Sequence, residues 1–343
     1  HRPMSLPNRI ALTFVVPTIV AIGSTLLPGL ALAEDWGALE LLDSQIEPGT
    51  ARRMAFARDE TFAASYLNTP VFVARGAERG PTLCLTAGVH GDELNGVEVA
   101  RRAFAQVDPK KLHGTLIALP AINAHGVRTG NRYLADRRDL NRAFPGSTGG
   151  SVARLIAHGV FSRVLIHCDA VVDLHTASNQ RANLPQIRAD ISIPAIRDLA
   201  VHFGLGFVIG GAGPDGSLRR EVAKAGIPAI IYEAGEPDRF QVDEIERGVR
   251  GVESVMAYLD MILSEEMEIP EARIYERSRW VRAEVNASGF FFPTAELGDV
   301  IEVGDPLGSI IDPLTDDTIE IISPLAGEVI GMAVPQPVLP GYA

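Results

Sequence analysis

Positive charge is scarce in this chain of 343 residues: 31 Lys and Arg stand against 43 Asp and Glu, a formal net charge of -12. A surface with that balance repels phosphate backbones and anionic lipid, which argues against a nucleic-acid role. Aromatic residues make up only 6% of the chain, which argues against base-stacking platforms as well. Cysteine is reduced to Cys84 and Cys168, each inside an apolar run ("TLCLTA", "VLIHCDAVV"). Both read first as small core residues, with a disulfide between them open if the chain is exported. Nothing resembles a cysteine-based zinc site. After residue 33 no segment is long and apolar enough to span a bilayer.

What is abundant is hydrophobic residue, 46% of the chain, enough for a full core and for more than one domain. Ile10 to Ala33 carries no charge, follows Arg9 and ends in Ala31-Leu32-Ala33. That form predicts a secretory signal peptide over residues 1–33 and an exported, periplasmic protein. The alternative, an N-terminal membrane anchor, is weakened by Pro17 and Pro28. From residue 34 to 265 short apolar runs alternate with helical patterns. "TLCLTAG", "GTLIALPAIN", "AVVDLHT", "FVIGG" and "PAIIYEAG" read as strands, and residues 123–150 as a long polar loop. Continuous apolar strands of this kind are covered on both faces, so the domain is a layered α/β structure. The acidic stretch "LSEEMEIPEA" marks a boundary, after which short β-like runs broken by Gly, Pro and Asp predict a small all-β domain over 266–343. That domain resembles the barrel-sandwich modules of biotinyl and lipoyl carriers. It has no lysine, so it cannot carry a lysine-linked prosthetic group.

Sites in such sheets gather at the carboxyl ends of strands, where four stretches stand out. In "GVHGDELNG", His90 and Glu93 follow a strand, and Gly88 and Gly91 permit close backbone approach. An H-x-x-E pair alone is weak evidence, and the two residues equally suit the capping of the next helix. In "VVDLHTAS", Asp173 and His175 share one side of a strand end, as when a carboxylate fixes the tautomer of a metal-binding imidazole. In "IIYEAGEPDRF", Glu233 ends a buried strand, a suitable place for a general acid/base. In "NRYLADRRDLNRAFPG", Arg132, Arg137, Arg138 and Arg142 cluster in an otherwise acidic chain, and guanidinium forks bind carboxylates. Arg219 in "GSLRRE" could add an anion contact near a helix start or be a surface charge.

The ordered set "GVHGDE", "DLNRAFPG", "VDLHT" and "YEAG" resembles the succinylglutamate desuccinylase/aspartoacylase family, deacylases of the zinc-carboxypeptidase-like fold. The resemblance covers about residues 70–343. It implies a mixed sheet with helices on both faces and one Zn2+ per chain, held by His90, Glu93 and His175. Asp173 would stand behind His175, and Glu233 would be the general acid/base. It also implies that Asn141 and Arg142 grip a substrate carboxylate and that Arg219 is a second carboxylate-binding arginine. Arg132 best matches the arginine that polarises the scissile carbonyl, with Arg137 and Arg138 as alternatives; Arg138 is also a candidate for substrate binding. The expected activity is zinc-dependent hydrolysis of a small N-acyl amino acid or a related carboxylate-bearing amide. A zinc carboxypeptidase acting on short peptides is the alternative, and a non-catalytic binding protein on the same fold is the reading from another class.

Overall fold

The apolar runs become strands because each has two apolar faces to bury. A computed structural model describes residues 36–56, 68–263, 269–276, 278–284 and 287–343; the predicted signal peptide lies outside the described residues. Strands β1 (Leu39–Leu41) and β2 (Ser44–Ile46) form a small antiparallel pair. The main sheet is built from β3 (Thr50–Ala55), β4 (Pro70–Arg75), β5 (Glu78–Ala87), β6 (His113–Leu119), β7 (Ala170–His175), β8 (Arg181–Ala189), β9 (Phe207–Gly210), β10 (Ala229–Gly235) and β11 (Arg273–Tyr275). They lie in the order β11-β9-β8-β10-β7-β5-β6-β4-β3. The central strands β10, β7, β5 and β6 are parallel, while β8 runs against β10 and β4 against β6, so the sheet is mixed.

Alternation along the strands sends side chains to two cores. On one face Leu83, Leu85, Val172 and Leu174 pack with α1 (Leu94–Gln106), the chain after Pro194, and the long helix Val242–Tyr258. On the other, Cys84 and Val171 pack with the helices Val152–Arg163 and Leu218–Lys224. Numbered in order, the helices after α1 are α2 (Ala124–Thr129), α3 (Val152–Arg163), α4 (Pro194–His202), α5 (Leu218–Lys224) and α6 (Val242–Tyr258). The sheet is therefore covered on both sides, as the resemblance implies. Cys84 and Cys168 form a disulfide between β5 and the entry to β7, which settles the pairing left open above.

Three features depart from the sequence reading. The expected loop over 123–150 contains α2, a short helix capped by the Asn123 side chain on Gly126 N. Strand β8 was not anticipated. The C-terminal segment is all-β, with β12 (Gly289–Pro293), β13 (Val300–Ile301), β14 (Pro306–Ile311), β15 (Thr318–Ile322), β16 (Gly327–Glu328), β17 (Gly331–Ala333) and β18 (Gln336–Val338). However, β11 pairs with β9 and β17 pairs with β8, so strands from beyond residue 265 extend the main sheet. No helix among the described residues is long and apolar enough to cross a membrane.

Candidate active site

The sheet changes direction of winding between β5 and β7, where such folds hold ligands beyond the strand ends. The turn after β5 begins at Gly88, whose φ of +58° suits glycine. Gly91 is required by packing: a Cβ there would stand 2.0 Å from the Gly126 carbonyl carbon of α2. Its freedom therefore lets α2 come close, rather than a ligand. Glu93 occupies the N-cap position of α1, but its carboxylate makes no capping bond. It turns to the histidines instead, which decides against the capping alternative.

Glu93 lies between two imidazoles. Its Oε1 is 2.8 Å from His90 Nδ1, and its Oε2 is 2.6 Å from His175 Nδ1. The far nitrogens are both held by carboxylates: His175 Nε2 by Asp173 at 2.8 Å and His90 Nε2 by Asp139 at 3.1 Å. Asp173 in turn accepts from Thr86 Oγ1 at 2.7 Å. His90, Glu93 and His175 are all buried, and their ligand atoms lie within 4.8 Å of one another. Burial opposes the charge on Glu93, yet the two histidines prevail and hold it well below the usual carboxylate range. Burial likewise opposes charge on His175, but Asp173 and Glu93 raise it well above its ordinary value. His90 is raised too, by Glu93 and Asp139 acting against burial. Asp139, despite its own burial, is held at about 2 by His90 and Arg132.

The donor set fits a divalent metal. The Nδ1 atoms of both histidines turn inward and both Nε2 atoms are oriented by carboxylates, the arrangement that prepares imidazoles as ligands. The buried His90 Nδ1 lies 2.8 Å from Glu93 without a hydrogen bond of acceptable geometry, so Glu93 alone does not satisfy it.

Glu233 stands beside His175, its direct partner across the parallel β10–β7 ladder. Its Oε2 accepts from Asn183 Nδ2 at 2.8 Å and lies 3.0 Å from Arg188 Nε. Arg132 is the one member of the arginine cluster that reaches the histidine site, with Nη1 at 2.7 Å from Glu93 Oε1. Arg138 is exposed and paired with Asp136 at 3.3 Å, and Arg137 is an exposed turn residue with φ +63°. Neither borders the cleft. The carbonyl oxygen of the Asn141 side chain accepts from Leu218 N at 2.8 Å, which leaves its amide nitrogen for a ligand. Arg142 and Arg219 border the same cleft. Arg219 is only 6% exposed, and its Nε and Nη1 have no hydrogen-bond partner. Burial and the neighbouring Arg188 lower its pKa to about 10.

Several residues at the site were not singled out from sequence. Asp139 was visible as the first letter of "DLNR" but had no assigned role. Arg181, Asn183 and Arg188 lie on the unanticipated β8. Trp280 reaches the cleft from the C-terminal segment, and no local signal marks it.

The succinylglutamate desuccinylase/aspartoacylase catalytic domain matches residues 79–259, from β5 to the end of α6. An N-alpha-acetyl-L-2,4-diaminobutyric acid deacetylase from Halomonas elongata is 27% identical over 257 residues, 71% of this chain and 74% of that protein. A solved succinylglutamate desuccinylase/aspartoacylase from Rhodobacter sphaeroides aligns with a TM-score of 0.71 at 26% identity, covering 80% of this chain and 87% of its own. The product-bound ectoine utilization protein EutE (DoeB) from Ruegeria pomeroyi aligns with a TM-score of 0.73 at 25% identity, with the same coverage of 80% and 87%. The domain match alone spans more than half of the chain and contains all four motifs, and on that ground the protein belongs to the succinylglutamate desuccinylase/aspartoacylase family.

Proposed function

We propose that this protein hydrolyses the amide bond of a small N-acyl amino acid or related carboxylate-bearing amide, with one zinc ion held by His90, Glu93 and His175. The observation that carries this reading is the buried convergence of those three side chains, with Glu233 on the adjoining strand. Bound zinc supplies Lewis-acid polarisation of a carbonyl and lowers the pKa of water. Glu233 takes the proton of the attacking water and returns it to the departing amine. Arg132, anchored on Glu93, directs its remaining N–H groups to the carbonyl oxygen as charge develops there. Asn141, Arg142 and Arg219 bind the substrate carboxylates. Trp280 borders the cleft from the C-terminal segment, and a cleft closed on that side favours small amides over peptides. The Halomonas relative is a deacetylase and the family also takes its name from a desuccinylase, so N-acetyl and N-succinyl amino acids are the first candidates.

Export to the periplasm belongs to the same proposal. It rests on the form of residues 1–33 and is supported by the Cys84–Cys168 disulfide, since such bonds persist in oxidising compartments.

The test combines metal analysis with kinetics. The purified chain should bind about one zinc ion, and His90→Ala should lose it. Glu233→Gln should keep the metal and lose roughly 10²- to 10⁴-fold in kcat on the best of a panel of N-acetyl, N-succinyl and N-formyl amino acids. Near-normal turnover by Glu233→Gln would remove Glu233 as the base. Turnover of short peptides in preference to acyl amino acids would establish the carboxypeptidase alternative instead.

A further inference from the structure

The orientation of Glu233 comes from β8. Asn183 and Arg188 both engage Oε2. Among the described residues no hydrogen bond or ion pair takes Oε1. One oxygen is thus fixed and the other is left to carry a proton.

Asn183 is itself confined from both sides. It is 6% exposed, and along β8 it is paired with Gly235 of β10 and with Gly331 of β17. The Gly331 backbone packs against its side chain: a Cβ at Gly331 would lie 2.6 Å from Asn183 Oδ1. The same C-terminal stretch holds β8 through Ile330 O, which accepts from Leu184 N at 3.0 Å and from Gln186 Nε2 at 3.2 Å. A residue of the C-terminal module therefore limits where the Asn183 amide can go, and that amide limits where Glu233 can go.

We propose that Asn183, backed by Gly331 of β17, is the positioning residue for the general base, so that the C-terminal module completes the catalytic site and does more than border it. This rests on the reading of Glu233 as the base. Loss of the Asn183 donor would leave Oε2 held by Arg188 alone and free the carboxylate to rotate away from the attacking water, with substrate and metal still bound. A backbone strand is a suitable backstop because it cannot rotate aside as a side chain can.

Steady-state kinetics of the full chain test this, using the acyl amino acid that the wild type turns over, with zinc content and thermal midpoint measured alongside. Asn183→Ala and Asn183→Asp should each lower kcat by about tenfold or more, the range seen when supporting hydrogen bonds are removed. KM and zinc content should stay close to wild type. Asn183→Asp keeps size and shape but exchanges the donor for a second carboxylate beside Glu233, so the neutral Asn183→Ala separates loss of the donor from the added charge; Asn183→Asp carries the test if Asn183→Ala folds poorly. Gly331→Ala should reproduce the kcat loss from outside the cleft. Gly327→Ala, whose Cβ would meet only Leu325 Cδ1 at 3.7 Å, should not. A kcat for Asn183→Asp within about twofold of wild type overturns the inference, since mutational effects of that size are below one hydrogen bond. So does a kcat loss in the variants that follows their thermal midpoints. If the wild type turns over no amide, the deacylase reading falls and this inference falls with it. Turnover with an undiminished Asn183→Asp removes only this inference.

Discussion

Arg219 is a buried cation with two of its nitrogens unbonded and a second guanidinium, Arg188, close enough to depress its pKa. Such a group costs stability in the free protein and repays it only when an anion arrives. Arg219→Leu should therefore leave the thermal midpoint unchanged or raise it. The same variant should lower kcat/KM for a carboxylate-bearing substrate by about 10- to 100-fold, the value of one charged hydrogen-bonded contact. A lower midpoint with intact kinetics would make Arg219 structural.

The histidines carry a pH dependence of definite sign. His90 and His175 are raised in the folded chain, so without metal their contribution is present below their ordinary value of about 6.5 and fades as pH rises through the folded values. Glu93 and Asp139 are depressed, so theirs is present above about 4.5 and lost as pH falls toward about 2. Zinc requires neutral imidazole. The increase in thermal midpoint on adding zinc should accordingly be larger at pH 8 than at pH 6; an equal increase at both would mean that zinc binds elsewhere. His90, Glu93, His175, Asp173 and Glu233 were readable because each sits in a contiguous motif at a strand end. Arg132 could not be separated from Arg137 and Arg138 in the same way, because the choice depends on how a turn points three neighbouring side chains.

At the scale of elements, the strands with continuous apolar runs were legible and β8 was not. "RANLPQIRA" has no continuous apolar run, and its polar–apolar alternation changes phase at Pro185, so no single strand period marks it. The structure shows why proline is tolerated. Residues 181–183 pair with β17 and residues 187–189 with β9, while the β10 ladder shifts register between Glu233 and Gly235. Pro185 falls in the gap of all three ladders, where no donor is needed. Helix α2 was missed because six residues with a central glycine give too little periodicity to detect. The disulfide joins elements that are already neighbours in the sheet, but it closes a sequence separation of 84 residues. A double variant Cys84→Ala, Cys168→Ala should lose about 2–5 kcal/mol in denaturant unfolding, mostly through a freer unfolded chain. A loss below about 1 kcal/mol would mean that the sheet alone fixes β5 against β7.

For the molecule as a whole, α/β layering followed by a β-rich end was legible from composition and period. That strands from beyond residue 265 enter the main sheet was not, since β11 and β17 are three residues each and their partners are remote in sequence. The result is a cleft bordered by both parts of the chain, with Arg132, Arg142, Arg181, Arg188 and Arg219 in a protein of net charge -12. Small anions are thereby drawn to one place on an otherwise repelling surface. Extending an accepted acyl amino acid at its carboxylate by two further residues should lower kcat/KM at least about tenfold, because both the carboxylate contact and the fit beside Trp280 are lost. Equal rates for the extended compound would mean that the cleft is open on that side.

The seam between β17 and β8 also bears on recombination. Its two halves, Arg181–Asn183 and Gly331–Ala333, are separated by the rest of the sheet and most of the C-terminal module. Any crossover between two family members that falls between these halves joins a β8 from one parent to a β17 from the other. Chimeras of that kind inherit His90, Glu93 and His175 from one parent and a mismatched β8–β17 seam. The interval between residues 190 and 330 is therefore the one in which breakpoints should yield folded but poorly active hybrids, and libraries built by shuffling should be depleted there under selection for activity.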